Sequence, residues 1–193
     1  HLLSGKALPI NYSTWVSQNQ MIVGQDLQVN VTRALTRLKG VFISLDKNAP
    51  QSTDAVKGRL VWWRRKWNDL FSPLAENDLY GTTASLADGE FITRLQIGSK
   101  IFPEMDMISH NEAYYKLQKA LGIQASPLHS FDINGNEYRD YKFVIGYDTE
   151  KVLEAGWTGF NTRAGDLLTV KFKYNSSNAL RQADRMRVVL HSD

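Results

Sequence analysis

Cysteine is absent from the 193 residues of this chain, which excludes disulfide bonds, thiolate catalysis and zinc sites built on cysteine. None of the four histidines stands at a spacing, such as H-x-x-x-H, that would direct two of them to one metal ion. A P-loop, a G-x-G-x-x-G motif and a G-x-S-x-G motif are also missing. We therefore predict no catalytic residue, no cofactor and no metal site, and we expect that the protein is not an enzyme.

Long hydrophobic runs are missing as well. No apolar stretch approaches the roughly 18 residues that a membrane-spanning helix needs, and the first residues lack the charged start and apolar core of a signal peptide. We therefore expect neither a membrane span nor a signal peptide. The composition, with 42% hydrophobic and 22% charged residues, is typical of a globular protein. The net charge of +3 is only a weak indication of an anionic partner such as nucleic acid.

Alternating apolar and polar residues predict several β-strands. The clearest segment is Phe91–Ile97, in which every second residue from Phe91 faces one side. Residues 1–27 look irregular, with a strand beginning at Trp15 as an alternative. Few helical segments separate the strands, so the pattern favours a mainly β fold, an antiparallel β-sandwich with long decorated loops at 46–58 and 74–89. The other predicted strands are Gln28–Thr32, Val41–Leu45, Lys142–Asp148, Leu167–Tyr174 and Met186–Leu190.

One short amphipathic helix is predicted from Ser109 to Leu121. Ser109 and Glu112 have the spacing of a capping box, and Gly122 stands where a helix ends in a left-handed residue. The predicted buried stripe comprises Ala113, Leu117, Ala120 and Leu121. Gly98 and Pro103 indicate that only a short connection joins the preceding strand to this helix. Further along, the sequence Asn134-Gly135-Asn136 predicts a hairpin turn, and Thr149 is a candidate cap for a helical turn over 150–155.

An aromatic and basic run provides the candidate interface. It could stack on bases or bind phosphates, or anchor a protein interface, because Trp and Arg are frequent anchors. Alternatively, its rings belong to the core and its cations cover them with their aliphatic stems. Its residues are Trp62, Trp63, Arg64, Arg65, Trp67 and Phe71.

Paired acids and a glycine-rich segment are weaker candidates for a site. Asp88 with Glu90, and Glu104 with Asp106, would suit a glycoside hydrolase only if two carboxyl groups faced each other across a cleft. Solvated loop acids are the simpler interpretation. The segment 154–165 could form a ligand loop, but its glycines equally permit turns with positive φ before a strand.

Three segments together resemble the jelly-roll major capsid proteins of eukaryotic DNA viruses and of polinton- and adintovirus-like elements. They are LTRLKGVFISL at 35–45, the segment 91–122, and KVLEAGWTGFNTRAGDLLTVKFKY at 151–174. The resemblance implies that residues 1–193 form a single jelly-roll-like domain. It leaves two alternatives open, a single jelly roll or one half of a longer double jelly-roll chain. It also implies a structural virion protein, assembled inside the host cell. In that interpretation the chain is a capsid shell subunit that self-assembles with copies of itself or related subunits through loop and sheet-edge contacts.

Two other classes of protein remain open from the residues alone. A carbohydrate-binding β-sandwich module would present coplanar exposed aromatic rings on one concave face. A sandwich-fold hydrolase would have a cleft with paired acids.

Overall fold

The computed structural model describes residues 12–46, 70, 72, 91–122, 133–140, 142–150, 159–163, 166–174 and 183–193. Within these ranges the chain forms eight strands and two helices. The strands are β1 (Thr14–Met21), β2 (Asp26–Val31), β3 (Leu38–Asp46), β4 (Phe91–Ile97), β5 (Lys100–Met107), β6 (Val144–Asp148), β7 (Leu168–Tyr174) and β8 (Arg185–Ser192). The helices are α1 (His110–Ala120) and α2 (Gly135–Asp140).

The strands form two four-stranded sheets. Sheet A has the order β1-β8-β3-β6, and sheet B has the order β2-β7-β4-β5. Every neighbouring pair is antiparallel. The chain changes sheet at each connection except the one between β4 and β5, and this eight-stranded order is that of a jelly roll. The predicted fold class, a mainly β antiparallel sandwich, is therefore confirmed.

The core lies between the two sheets and follows from the period-two pattern of the strands. In β4, Phe91, Thr93, Leu95 and Ile97 are buried, while the residues between them are more accessible. The ring of Phe91 contacts Phe143 at a centroid distance of 5.5 Å and Phe172 at 6.0 Å. A hydrogen bond of 2.7 Å between Thr93 Oγ1 and Tyr147 Oη joins sheet B to sheet A inside the core. At the start of β4, aromatic packing and this polar contact therefore hold the two sheets together.

Helix α1 packs on the outer side of sheet A at strand β6. Gly146 makes the close approach possible, because a Cβ atom there would lie 3.1 Å from both Leu117 Cα and Ala120 Cβ. Ala113 and Leu117 are buried as predicted. Leu121 was expected in the buried stripe, but it is exposed, because the helix ends at Ala120 and Leu121 lies past the edge of its contact with β6.

The N-terminus of α1 has the predicted position but not the predicted capping box. Ser109 occupies the N-cap with extended backbone angles, yet its side chain makes no cap hydrogen bond. Glu112 instead pairs with Lys116, whose Nζ lies 2.6 Å from Glu112 Oε1. At the other end, Gly122 has a φ of +69° and donates to Lys119 O at 2.9 Å, so the predicted left-handed terminus is confirmed.

Replacing Ser109 by alanine is expected to cost only a few tenths of a kcal/mol, because no side-chain cap is lost. Asn134 provides the matched contrast, since its Oδ1 accepts a hydrogen bond of 2.8 Å from Glu137 N. Asn134→Ala is therefore expected to cost about 1 kcal/mol. Urea unfolding of both variants tests this order, and equal costs would contradict it.

Two local predictions were wrong, and one of two alternatives is confirmed for a third segment. The connection expected around Pro103 is strand β5, and proline is tolerated there because β5 lies at the edge of sheet B. For residues 1–27, the alternative of a strand beginning at Trp15 is confirmed, because residues 14–21 form β1. Polar residues on both faces of this strand obscure its alternation. The expected hairpin turn at Asn134 is instead the start of α2.

The expected helical turn at 150–155 is not tested, because residues 151–155 lie outside the described residues. The Oγ1 atom of Thr149, its candidate cap, donates to Leu38 O at 2.7 Å.

Candidate interaction surfaces

The predicted interface lies outside the described residues. This applies to all six of its members, Trp62, Trp63, Arg64, Arg65, Trp67 and Phe71, and also to the acids Asp88 and Glu90. The surfaces described below are built from the parts of the chain that the structure does describe.

The second pair of predicted acids lies on edge strand β5. Asp106 Oδ1 lies 3.2 Å from Arg94 Nε on the neighbouring strand β4, and Glu104 is exposed. One acid of the pair is therefore held in an ion pair. Among the described residues, no group of three or more histidine, aspartate or glutamate side chains is arranged to hold a metal ion.

The described part of the glycine-rich segment, 159–163, is bound to the chain that leads into β3. Gly159 has a φ of +137°, and a Cβ atom on it would lie 3.0 Å from Leu38 O. Phe160 and Leu38 exchange two backbone hydrogen bonds of 2.8 and 2.9 Å. Thr162 Oγ1 donates to Arg33 O and accepts from Leu35 N, both at 2.8 Å. This part of the segment is therefore a structural anchor, as the simpler interpretation of its glycines expected.

The outer face of sheet A carries an exposed aromatic cluster at one end. The ring of Trp15 on edge strand β1 stacks on His191 of β8, with centroids 4.3 Å apart and planes at 12°. Phe42 of β3 contacts the same indole at 5.5 Å. His191 covers one face of the indole, yet Trp15 remains 57% exposed. No sequence pattern connects these residues, because β1 and β8 come from opposite ends of the chain.

The other end of the same face is polar, and its charged and amide side chains bind one another. Arg187 Nε donates to Asn19 Oδ1 at 3.2 Å, and its NH2 group lies 3.1 Å from Asp46 Oδ2. Arg185 Nε lies 3.4 Å from the same carboxylate oxygen. Two arginines thus share one aspartate.

The outer face of sheet B is mixed in charge. Arg94, Lys171 and Lys173 are its cations, and the strand register places Asp26 opposite Lys173. Asp106 neutralises Arg94, as described above. These three cations and two acids leave one positive charge in excess. A surface that binds a phosphate backbone would need more positive charge than that.

Large exposed apolar side chains concentrate along two sheet edges. On the β1 edge of sheet A, Trp15 and Met21 are joined by Val23 in the connection to β2. On the β5 edge of sheet B, Ile101 and Met105 are followed by Ile108. Met105 is 82% exposed and Met21 is 63% exposed. Exposed apolar groups along strand edges are typical of surfaces that another chain covers.

Burial raises the pKa of two core tyrosines, Tyr138 and Tyr147, well above the ordinary tyrosine value. Desolvation is the main cause at both. At Tyr147 the hydrogen bond with Thr93 acts in the opposite direction but does not cancel the effect of burial. Both hydroxyl groups therefore stay protonated in the folded protein at pH values where the unfolded chain ionises.

Stability is expected to fall above about pH 10, because unfolding then releases protons from these tyrosines. Each tyrosine should lower the free energy of unfolding by about 1.4 kcal/mol per pH unit in that range, and neither should matter near neutral pH. Urea unfolding at several alkaline pH values measures the slope. Tyr147→Phe should reduce it, and an unchanged slope in that variant would contradict the assignment.

No family model matches this chain, and no curated protein is significantly similar to it in sequence. Neither described helix has the length and apolar character needed to cross a bilayer. The class of protein that the structure defines is a jelly-roll β-sandwich with apolar side chains exposed along two of its edges.

Proposed function

We propose that this chain is a structural virion protein, a capsid shell subunit that assembles with copies of itself or with related subunits. The strand order supports this proposal, because the jelly roll is a fold of viral capsid proteins, although lectins and cupins also use it. A fold hosts several functions, so this support is by analogy. The resemblance of segments 35–45, 91–122 and 151–174 to jelly-roll capsid proteins selects the capsid among these functions. In this proposal the protein assembles inside the host cell and resides in the virion.

The observation that carries the proposal is the exposed apolar surface on the strand edges β1 and β5. A rigid sandwich with exposed edges can bury them against neighbouring subunits, and the buried centre of such contacts is rich in aromatic residues and methionine. Trp15, Met21 and Met105 are side chains of these kinds, and all three are exposed in the single chain.

The run from Trp62 to Phe71 is the candidate for a second contact, because it combines tryptophans with arginines. Replacing Trp62 and Trp63 together by alanine is expected to leave folded subunits that no longer form shells under the electron microscope. Tyr115→Ala, which removes an exposed ring from α1, is the matched control and should leave shells intact.

Circular dichroism of the double variant distinguishes an interface role from a core role. A folded double variant that still forms shells would contradict an interface at Trp62 and Trp63. An unfolded double variant would assign the two rings to the subunit's own core.

A carbohydrate-binding module is the second candidate, and exposed Trp15 favours it. A sugar ring could stack on an indole that has one face covered and the rest open, with Asn19 and Arg187 further along the same face. Titration with a panel of oligosaccharides, followed by tryptophan fluorescence, tests this candidate. Saturable binding that Trp15→Ala abolishes, in a protein that remains monomeric, would favour the module over the capsid subunit.

A further inference from the structure

The four sheet edges in the described chain differ in how they are protected against pairing with another strand. Natural edge strands are protected by charges, proline, bulges, short length or a covering element. Strand β5 has Pro103, a register shift against β4 and the charged side chains of Lys100 and Glu104. Strand β6 has only five residues and is packed against α1. On β2, Asp26 begins the strand and Gln18 Nε2 donates to Asn30 O at 3.2 Å.

Within the described part of the chain, strand β1 has none of these protections. Its sequence, TWVSQNQM from Thr14 to Met21, contains neither a charged residue nor a proline. It pairs with β8 over eight consecutive positions without a register shift, and sheet A has no described strand on its other side. A long, regular and uncharged edge of this kind favours the addition of another strand.

We infer that β1 pairs antiparallel with β1 of a second copy of this chain, about a two-fold axis at Gln18. The pairing would extend sheet A into an eight-stranded sheet that runs across both copies. The inference deepens the proposed function and rests on it, because it names one contact by which the subunits assemble.

A two-fold axis perpendicular to the sheet fixes which residues can meet. Residues directly opposite each other in a sheet lie on the same face. The outer face of β1 carries Trp15, Ser17, Asn19 and Met21. On the neighbouring strand β8 they lie opposite His191, Val189, Arg187 and Arg185. An axis at Gln18 places Trp15 opposite Met21 of the second copy, and symmetry repeats that pair. Both exposed apolar side chains of the strand are then covered, in a favourable contact between sulfur and an aromatic ring.

The neighbouring register is less favourable. An axis at Ser17 would place Trp15 opposite Asn19 of the second copy and would leave Met21 beyond the paired strands. The register at Gln18 also brings no like charges together, because β1 carries no charge.

Sedimentation velocity of the intact protein and of one charged variant tests the pairing. Ser17 points outward near the middle of β1, so Ser17→Lys places two lysines close together across the axis. The register places each lysine diagonal to the other across the axis, where two like charges repel each other, and the dissociation constant of the dimer is expected to rise about threefold or more. Tyr115→Lys, on the exposed side of α1, is the control and should dimerise as the unmodified protein does. Unchanged dimerisation of Ser17→Lys would overturn the inference.

Cysteine cross-linking tests the register without depending on the charged variant. Since the chain has no cysteine, every disulfide must come from introduced thiols. The register places Ser17 opposite Asn19 of the second copy, so mixing Ser17→Cys with Asn19→Cys should give far more cross-linked dimer under mild oxidation than either variant alone. Tyr115→Cys, on the exposed side of α1, should still dimerise but should form no cross-link. Cross-linking of Ser17→Cys alone, or no cross-linking in the mixture, would overturn the inferred register.

Dimers and shells are scored separately, so the two proposals can fail independently. If Ser17→Lys still forms normal shells, β1 pairing is wrong while the capsid proposal stands. If the mixed cysteine variants cross-link but no shell forms under any condition, β1 pairing stands and the capsid proposal is wrong.

Discussion

Replacing Phe91 by alanine is expected to lower the free energy of unfolding by about 3–5 kcal/mol. Phe91 is fully buried at the start of β4, and its ring contacts Phe143 before β6 and Phe172 on β7. Its removal would leave a cavity where the aromatic packing joins the two sheets, and the neighbouring rings can fill that cavity only in part. Urea denaturation followed by circular dichroism measures the loss.

Ile92 provides the matched control for this prediction. It is the next residue on the same strand, points to the outer face of sheet B and is 41% exposed. Ile92→Ala is expected to cost less than about 1 kcal/mol, because surface substitutions away from special features usually change stability little. Similar losses for the two variants would contradict the assignment of Phe91 to the core and Ile92 to the outer face.

Replacing Gly146 by valine is expected to have the second-largest effect, a loss of about 1–3 kcal/mol from overpacking. The new side chain would meet the backbone of Leu117 and the side chain of Ala120, so α1 would have to move away from β6. Hydrogen exchange should then show reduced protection of α1, while the amides of β4 and β7 keep theirs.

The control for Gly146 is Gly135 at the start of α2, where an added Cβ atom would meet nothing within 4 Å. Gly135→Ala is expected to be neutral or to stabilise the protein by up to about 1 kcal/mol, since alanine restricts the unfolded chain. A destabilisation by Gly146→Val no greater than that of Gly135→Ala would show that α1 does not lie on β6.

The elements that the sequence predicted well are those whose two faces differ strongly. Strand β4 alternates buried and accessible residues throughout, and the predicted range Phe91–Ile97 matches the structure. Strand β8 has the same pattern, and β7 has it from Val170 onwards. Both strands were placed to within two residues at each end. Helix α1 was placed equally well, because Gly122 terminates it by a local mechanism that needs no tertiary contact.

The elements that the sequence missed or left undecided lie at edges or depend on distant contacts. Strand β1 has Gln18 and Gln20 on its inner side, because an edge strand at the rim of the sandwich is only half covered. The Asn134-Gly135 dipeptide suits a hairpin turn and a helix start equally well. Burial of Tyr138 against Tyr114 and Phe143 favours the helix here, and no local pattern predicts those contacts.

The candidate surfaces could not be predicted from the sequence for the same reason, because they depend on contacts between distant parts of the chain. The stacking of Trp15 on His191 joins strands from opposite ends of the chain, so only the three-dimensional pairing of β1 with β8 reveals it. The aromatic and basic run at 62–71 was visible in the sequence, but all of its residues except residue 70 lie outside the described structure. Its role in an interface stays a prediction.

The mass of the native particle tests the central claim, that this protein is a self-assembling shell subunit, most directly. Multi-angle light scattering of the intact protein, over a range of protein and salt concentrations, measures that mass. The account predicts a single sharp species of many copies, in equilibrium with smaller oligomers on dilution. A sharp species with the mass of a single chain at every concentration and salt condition would contradict it.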